Sequence, residues 1–132
     1  MKQYLFIIAF LHLLIFSYAQ RNAELIRVDS GWANNSVNVT VFRKNALVTY
    51  KDTQFIAYYN AQQHVVLGKR KIGSGKWQLN TTNYQGNTAD AHNVISIMVD
   101  GDGYLHVAWG HHNNPLNYCK SIAPGSLQLS AK

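Results

Sequence analysis

The feature that most constrains this chain is its beat: short runs of strand-forming residues, each closed by a turn signal. Val37 to Phe42 alternates, with Val37, Val39 and Val41 on one side and Asn38, Thr40 and Phe42 on the other, the pattern of a half-buried strand. Ala46 to Lys51 follows, then a turn at Asp52-Thr53, Gln54 to Asn60, a turn at Ala61 to Gln63, and His64 to Ile72. The Gly73-Ser74-Gly75 turn then leads into Lys76 to Thr81. No stretch reads as a long amphipathic helix, so four consecutive strands predict an antiparallel meander.

The beat restarts at His92 to Val99, Tyr104 to Gly110, Leu116 to Ser121 and Leu127 to Ser130. The step from Ala46 to His92 lies in the forties, the length of a propeller blade. The expected fold class is therefore all-β, a β-propeller, with a first blade at about residues 37–81 and a second at about 92–130. Two blades do not close a ring. Residues 20–132 are thus expected to be the N-terminal part of a longer propeller domain.

Residues 1–19 combine a basic start at Lys2, an apolar run from Tyr4 to Phe16 and a small-residue step Ser17-Tyr18-Ala19. That is the pattern of a secretory signal peptide, with cleavage near Ala19-Gln20, and the run is short for a membrane span. The expected product is secreted or periplasmic and not attached to a membrane. Its single cysteine, Cys119, has no partner for an internal disulfide and is expected to pack as a small apolar residue.

Twelve Lys and Arg against six Asp and Glu give a net charge of +6, falling by one when Lys2 leaves with the leader. A positive field favours anionic partners, and export makes nucleic acid an unexpected one. The cluster Lys69-Arg70-Lys71 with Lys76 has a plainer reading as a solvated strand edge that blocks edge-to-edge pairing.

Chemistry concentrates between Asp90 and Tyr118. Asp100-Gly101-Asp102-Gly103 supplies the residues a tight hairpin needs, so the two flanking runs pair and their open ends meet. If Val99 pairs with Tyr104, His92 falls opposite His111; if Asp100 pairs with Tyr104, it falls opposite His112. His106, mid-strand, reads as a hydrogen-bonded sheet histidine, and His64 opens a strand with no expected role. A metal could use His92, Asp90 and either His111 or His112, but adjacent histidines on a regular strand point to opposite faces. No metal ligand and no cofactor is assigned.

The run D-A-H-N-V-I-S-I-M-V-D-G-D-G-Y-L-H-V-A-W-G-H-H-N-N-P-L-N-Y, Asp90 to Tyr118, resembles BNR-type propeller proteins that include secreted ulvan lyases and related uronate-specific polysaccharide lyases. V-D-S-G-W-A-N-N-S-V-N-V at Val28 to Val39 and T-Q-F-I-A-Y-Y-N at Thr53 to Asn60 look like the first blade of the same family. The most specific part is H-N followed about twenty residues later by H-x-x-P-L-x-Y. The resemblance implies a seven-bladed propeller whose groove binds an anionic polysaccharide and cleaves it by β-elimination. It maps His92 and His112 onto the catalytic positions and favours the register that pairs them. Asn93 and His111 are expected to bind substrate, with further groove residues supplied by later blades. The protein is expected to be monomeric.

Two other classes remain open. A sialidase-like glycoside hydrolase needs an arginine cluster and repeated Asp-box turns, of which Gly73-Ser-Gly-Lys-Trp77 is a degenerate echo. A non-catalytic carbohydrate-binding propeller needs only an aromatic surface such as Trp32, Trp77, Trp109 and Tyr118.

Overall fold

A computed structural model describes residues 23–34 and 45–132. The signal peptide, its cleavage site and the alternating run Val37 to Phe42 lie outside the described residues. The rest is built from seven strands: β1 Leu47–Tyr50, β2 Thr53–Tyr59, β3 His64–Lys71, β4 Gln78–Gln85, β5 Ile95–Val99, β6 Leu105–Trp109 and β7 Tyr118–Lys120. They form two antiparallel sheets in sequence order, β1-β2-β3-β4 and β5-β6-β7. The expected meander and its restart are both present.

Each turn has a local cause. Lys51 takes a positive φ in the two-residue turn that pairs Tyr50 with Thr53. The Asn60 side chain accepts from the backbone N–H of Gln62 at 3.0 Å and of His64 at 2.9 Å, closing β2 onto β3. In the second sheet, Asp100 Oδ1 accepts from the N–H of Asp102 and of Tyr104, and Gly103 supplies the positive φ. Asp100 N–H also donates to Tyr104 O at 3.0 Å, so the ladder pairs Val99 with Leu105 and Ile95 with Trp109. This is the register that runs His92 toward His112.

The alternating residues of both sheets share one core. Phe55, Ala57, Tyr59, Val65 and Leu67 from the first meet Ile95, Ile97, Leu105, Val107, Trp109 and Cys119 from the second, with Leu127 from the C-terminal segment. Burying each large apolar side chain contributes about 1.5–3 kcal/mol before entropy is counted. Cys119 is 1 % exposed and packs as an apolar residue. Asn45 stitches the sheets: its carbonyl accepts from Ile97 N–H at 2.7 Å and its side-chain amide donates to Ile97 O at 3.1 Å.

Four details depart from the expectations drawn from sequence. β4 continues past Thr81 to Gln85, because a bulge between His64 and Val66 keeps the pairing going. The extension is anchored by the buried Thr82 hydroxyl on Val65 O and the Tyr84 hydroxyl on Ser130 O. β5 starts at Ile95, since His92 lies in a turn that precedes it. Leu127 to Ser130 contributes a single bridge, Ser121 with Leu129, in place of a strand. Lys69, Arg70 and Lys71 sit on β3, an interior strand, and Lys76 in the connection to β4, so the cluster does not line an edge strand. Its charges are used locally: Lys71 pairs with Asp52 at 2.7 Å, Lys69 donates to Gly125 O at 2.6 Å, and Arg70 donates to Ser74 O and lies over the Trp77 ring.

Candidate active site

Asp90 builds the site. Its Oδ1 accepts from the backbone N–H of His92 at 2.9 Å, an Asx turn that fixes the segment entering β5. The same oxygen lies 2.9 Å from Nδ1 of His92, and Oδ2 lies 2.6 Å from Nδ1 of His112. One carboxylate therefore orients two imidazoles that are twenty residues apart in sequence. The rings sit side by side, centroids 4.2 Å apart and tilted by 40°.

The second ring is placed by the other end of the hairpin. Beyond Trp109 the backbone turns at Gly110, and His112 N–H donates to the Asn114 side chain at 2.6 Å, with Asn113 at positive φ. Gly110 also takes a positive φ, and a Cβ there would come within 2.8 Å of Asn93 Oδ1. Asn93 is buried, and its Oδ1 accepts from Asn87 N–H at 3.0 Å, so it braces the loop that carries Asp90. His111 turns away from the pair: its Nε2 meets Asn117 O at 3.2 Å. The structure thus gathers His92 and His112 on one carboxylate, buries Asn93 in the adjoining loop and engages His111 with Asn117.

The electrostatics follow from these contacts. The backbone N–H of His92, and then the His112 ring, hold the Asp90 carboxyl well below the usual carboxylate range. An ionised Asp90 accepts from both Nδ1–H groups, which leaves each Nε2 without a hydrogen-bond partner among the described residues. Both imidazoles are about half exposed, and Asp90 is 22 % exposed. A cleft of about 460 Å³ runs past Asp90 and His112, with amide side chains from Gln63, Gln85, Asn87 and Asn114 along it.

Sequence reasoning named both histidines but gave Asp90 no role beyond a third metal ligand. The D-x-H spacing was the available signal, since an Asx turn places an Asp side chain on the N–H two residues later. Among the described residues, His64 and His106 are structural. His64 Nδ1 is 2.9 Å from Thr82 O, and His106 bridges Asp100 at 2.9 Å and Tyr118 at 2.6 Å. The expected aromatic surface is only partly a surface: Trp32 and Tyr118 are exposed, whereas Trp109 is a core residue that donates its indole N–H to Gln85 O.

Two antiparallel sheets in sequence, sharing a core and lacking helices among the described residues, define part of an all-β propeller. Residues 53–132, well over half of the chain, match the BNR repeat-containing family, and the chain belongs to it. The fold is similar to the crystal structure of the polysaccharide lyase Uly1, with a TM-score of 0.57 and 18 % identity over 80 % of this chain. It is also similar to a PL25 ulvan lyase, a polysaccharide lyase, with a TM-score of 0.54 and 15 % identity over 71 % of this chain. The chain spans about a quarter of each of those structures, 26 % in both cases. No curated protein matches it.

Proposed function

We propose that the full-length protein is a secreted or periplasmic polysaccharide lyase that cleaves an acidic, uronate-containing, ulvan-like polysaccharide by β-elimination. The observation that carries this reading is the shared carboxylate: Asp90 holds the half-exposed His92 and His112 by Nδ1 and leaves both Nε2 atoms unpartnered among the described residues. A neutral imidazole oriented this way accepts a proton at Nε2, and a protonated one donates from the same atom. A pair carrying one extra proton therefore contains a base and an acid side by side.

Elimination needs that combination. The base takes the proton from C5 of the uronate, the electron pair forms the C4–C5 double bond, and the C4–O bond breaks as the acid protonates the departing oxygen. The C5 proton is acidic only once the neighbouring carboxylate is neutralised, so donors must face the developing charge. These donors are expected from the cleft and from other blades. The chain by itself is accordingly expected to be inactive. The sialidase-like reading lacks its arginine cluster among the described residues, where Arg70 is engaged with Ser74 and Trp77.

The test is substitution of His92 and His112 by Ala in the full-length protein. Each change is expected to abolish the rise in unsaturated-uronate absorbance while polymer binding is retained. Unchanged turnover in either variant, or no turnover in the parent, overturns the assignment.

A further inference from the structure

The donor atoms of Asp90, His92 and His112 also have the composition of a metal site. We propose that these three residues bind a divalent late transition-metal ion, zinc or copper in preference to magnesium or calcium, and that the ion excludes the acid–base state of the pair. The exclusion rests on the lyase reading above; the binding does not.

Three observations carry the site. One carboxylate oxygen and one nitrogen from each ring all lie within 4.8 Å of one another, the sole such His/Cys/Asp/Glu group among the described residues. The donors come from two segments whose approach is already set, by the Asx turn at Asp90 and by the pairing of β5 with β6. The fold has therefore done most of the assembly before an ion arrives. Third, both rings are about half exposed and the cleft adjoins Asp90 and His112, so water can complete the coordination sphere.

The donor types select the metal. Two imidazole nitrogens and one carboxylate suit zinc or copper, while magnesium and calcium favour sites built from oxygen. The nitrogen–oxygen contacts sit close to ligand spacing, while the full donor set, spread over up to 4.8 Å, has to draw together around the ion. In a tetrahedral zinc site neighbouring ligand atoms stand about 3.3 Å apart, given zinc–nitrogen bonds of about 2.0–2.1 Å. The nitrogen–oxygen separations are now 2.9 and 2.6 Å, with a proton in each hydrogen bond. An ion seated between carboxylate and rings replaces those protons and opens the contacts by less than about 1 Å. Half-exposed side chains accommodate that change.

The nearest rival cluster shows why chemistry alone is not enough. Asp100 and His106 are as close as Asp90 and His92, but the Lys120 ammonium lies 3.3 Å from Asp100 Oδ2 and the Tyr118 hydroxyl meets the other ring nitrogen. A cation already neutralises that carboxylate, and both ring nitrogens are committed. The rim cluster instead offers two rings on one carboxylate, with an Nε2 atom of each unpartnered among the described residues.

The full chain is titrated with zinc in the absence of any polysaccharide, by calorimetry, and with cobalt as a visible-absorption probe. One saturable site per chain is expected, unaffected by excess magnesium. Asp90→Asn, His92→Ala and His112→Ala are each expected to weaken binding about tenfold or more, and His106→Ala to leave it unchanged. No saturation at millimolar zinc, or equal weakening by His106→Ala, overturns the proposal. Should the variants lose their strand signal by circular dichroism, copper-induced broadening of imidazole NMR resonances in the unaltered chain decides: broadening confined to His92 and His112 supports the site, and broadening centred on His64 or His106 overturns it. In the full-length protein, zinc inhibition relieved by chelation is expected if the lyase reading holds. Binding without lyase activity in the parent would sink that reading and leave the metal site standing.

Discussion

The second sheet carries two histidine–aspartate clusters, and the difference between them separates a site from a strut. Both begin with an Asx turn, at Asp90 and at Asp100. Both carboxyls are held well below the usual range, Asp90 first by the His92 N–H and Asp100 first by the His106 ring. At the turn end of the hairpin, however, His106 has both nitrogens occupied and Lys120 balances the carboxylate. At the open end, one carboxylate is divided between two rings, and each ring keeps a nitrogen unpartnered among the described residues. The same residue types become a brace where partners are complete and a candidate site where they are not.

The largest expected effect follows from that contrast. In the full-length protein, removing a proton-transfer group costs about 10²–10⁴-fold in turnover, the fall expected for His92→Ala or His112→Ala. His106→Ala is expected to leave turnover of the folded enzyme nearly unchanged while costing about 1–3 kcal/mol of stability, because Asp100 and Tyr118 lose a shared partner. Steady-state kinetics beside urea unfolding measure both. A His106 variant that is stable but inactive would erase the distinction between the clusters.

A smaller effect probes the ground on which each cluster stands. Gly86 lies in the wall of the rim cleft, and a Cβ there would run into the ring of buried Tyr59. Gly101, in the turn beside the other cluster, faces open space within 4 Å. Gly86→Ala is expected to cost about 1–3 kcal/mol through overpacking, and Gly101→Ala to stay within about 0.5 kcal/mol. Urea midpoints of the two variants check this. Equal midpoints would mean that the rim relaxes more readily than its packing implies.

Much of this arrangement was legible in the residues, for identifiable reasons. Turn chemistry at Asp100 to Gly103 and the two strand-like runs that flank it are local, so the hairpin could be read and its register reduced to two choices. The Asp90 clamp was not legible, because it joins His92 to a ring from a distant segment through a side chain whose turn geometry alternation does not report. The extra length of β4 escaped for a similar reason: the bulge at His64 and Val66 depends on Thr82 and Tyr84 finding partners in Val65 and Ser130. Trp109 looked like surface as a residue type, yet its position in β6 places it on the buried face, beside Tyr84.

The smallest effect tests whether the structural cluster carries its charge as described. Asp100 titrates below its ordinary value in the folded chain, held there first by the His106 ring and then by the Tyr104 N–H. A carboxyl depressed by folding binds fewer protons folded than unfolded, so its contribution is present above an unfolded value of about 3.9 and fades as the pH falls further. Between neutral pH and about pH 3, the urea midpoint of the unaltered chain is therefore expected to fall more than that of Asp100→Asn, which has no carboxyl to protonate there. Other depressed carboxyls contribute equally to both chains and cancel in the difference. Parallel pH profiles would show that the His106 contact does not hold the carboxylate, and the line drawn between the two clusters would lose its electrostatic support.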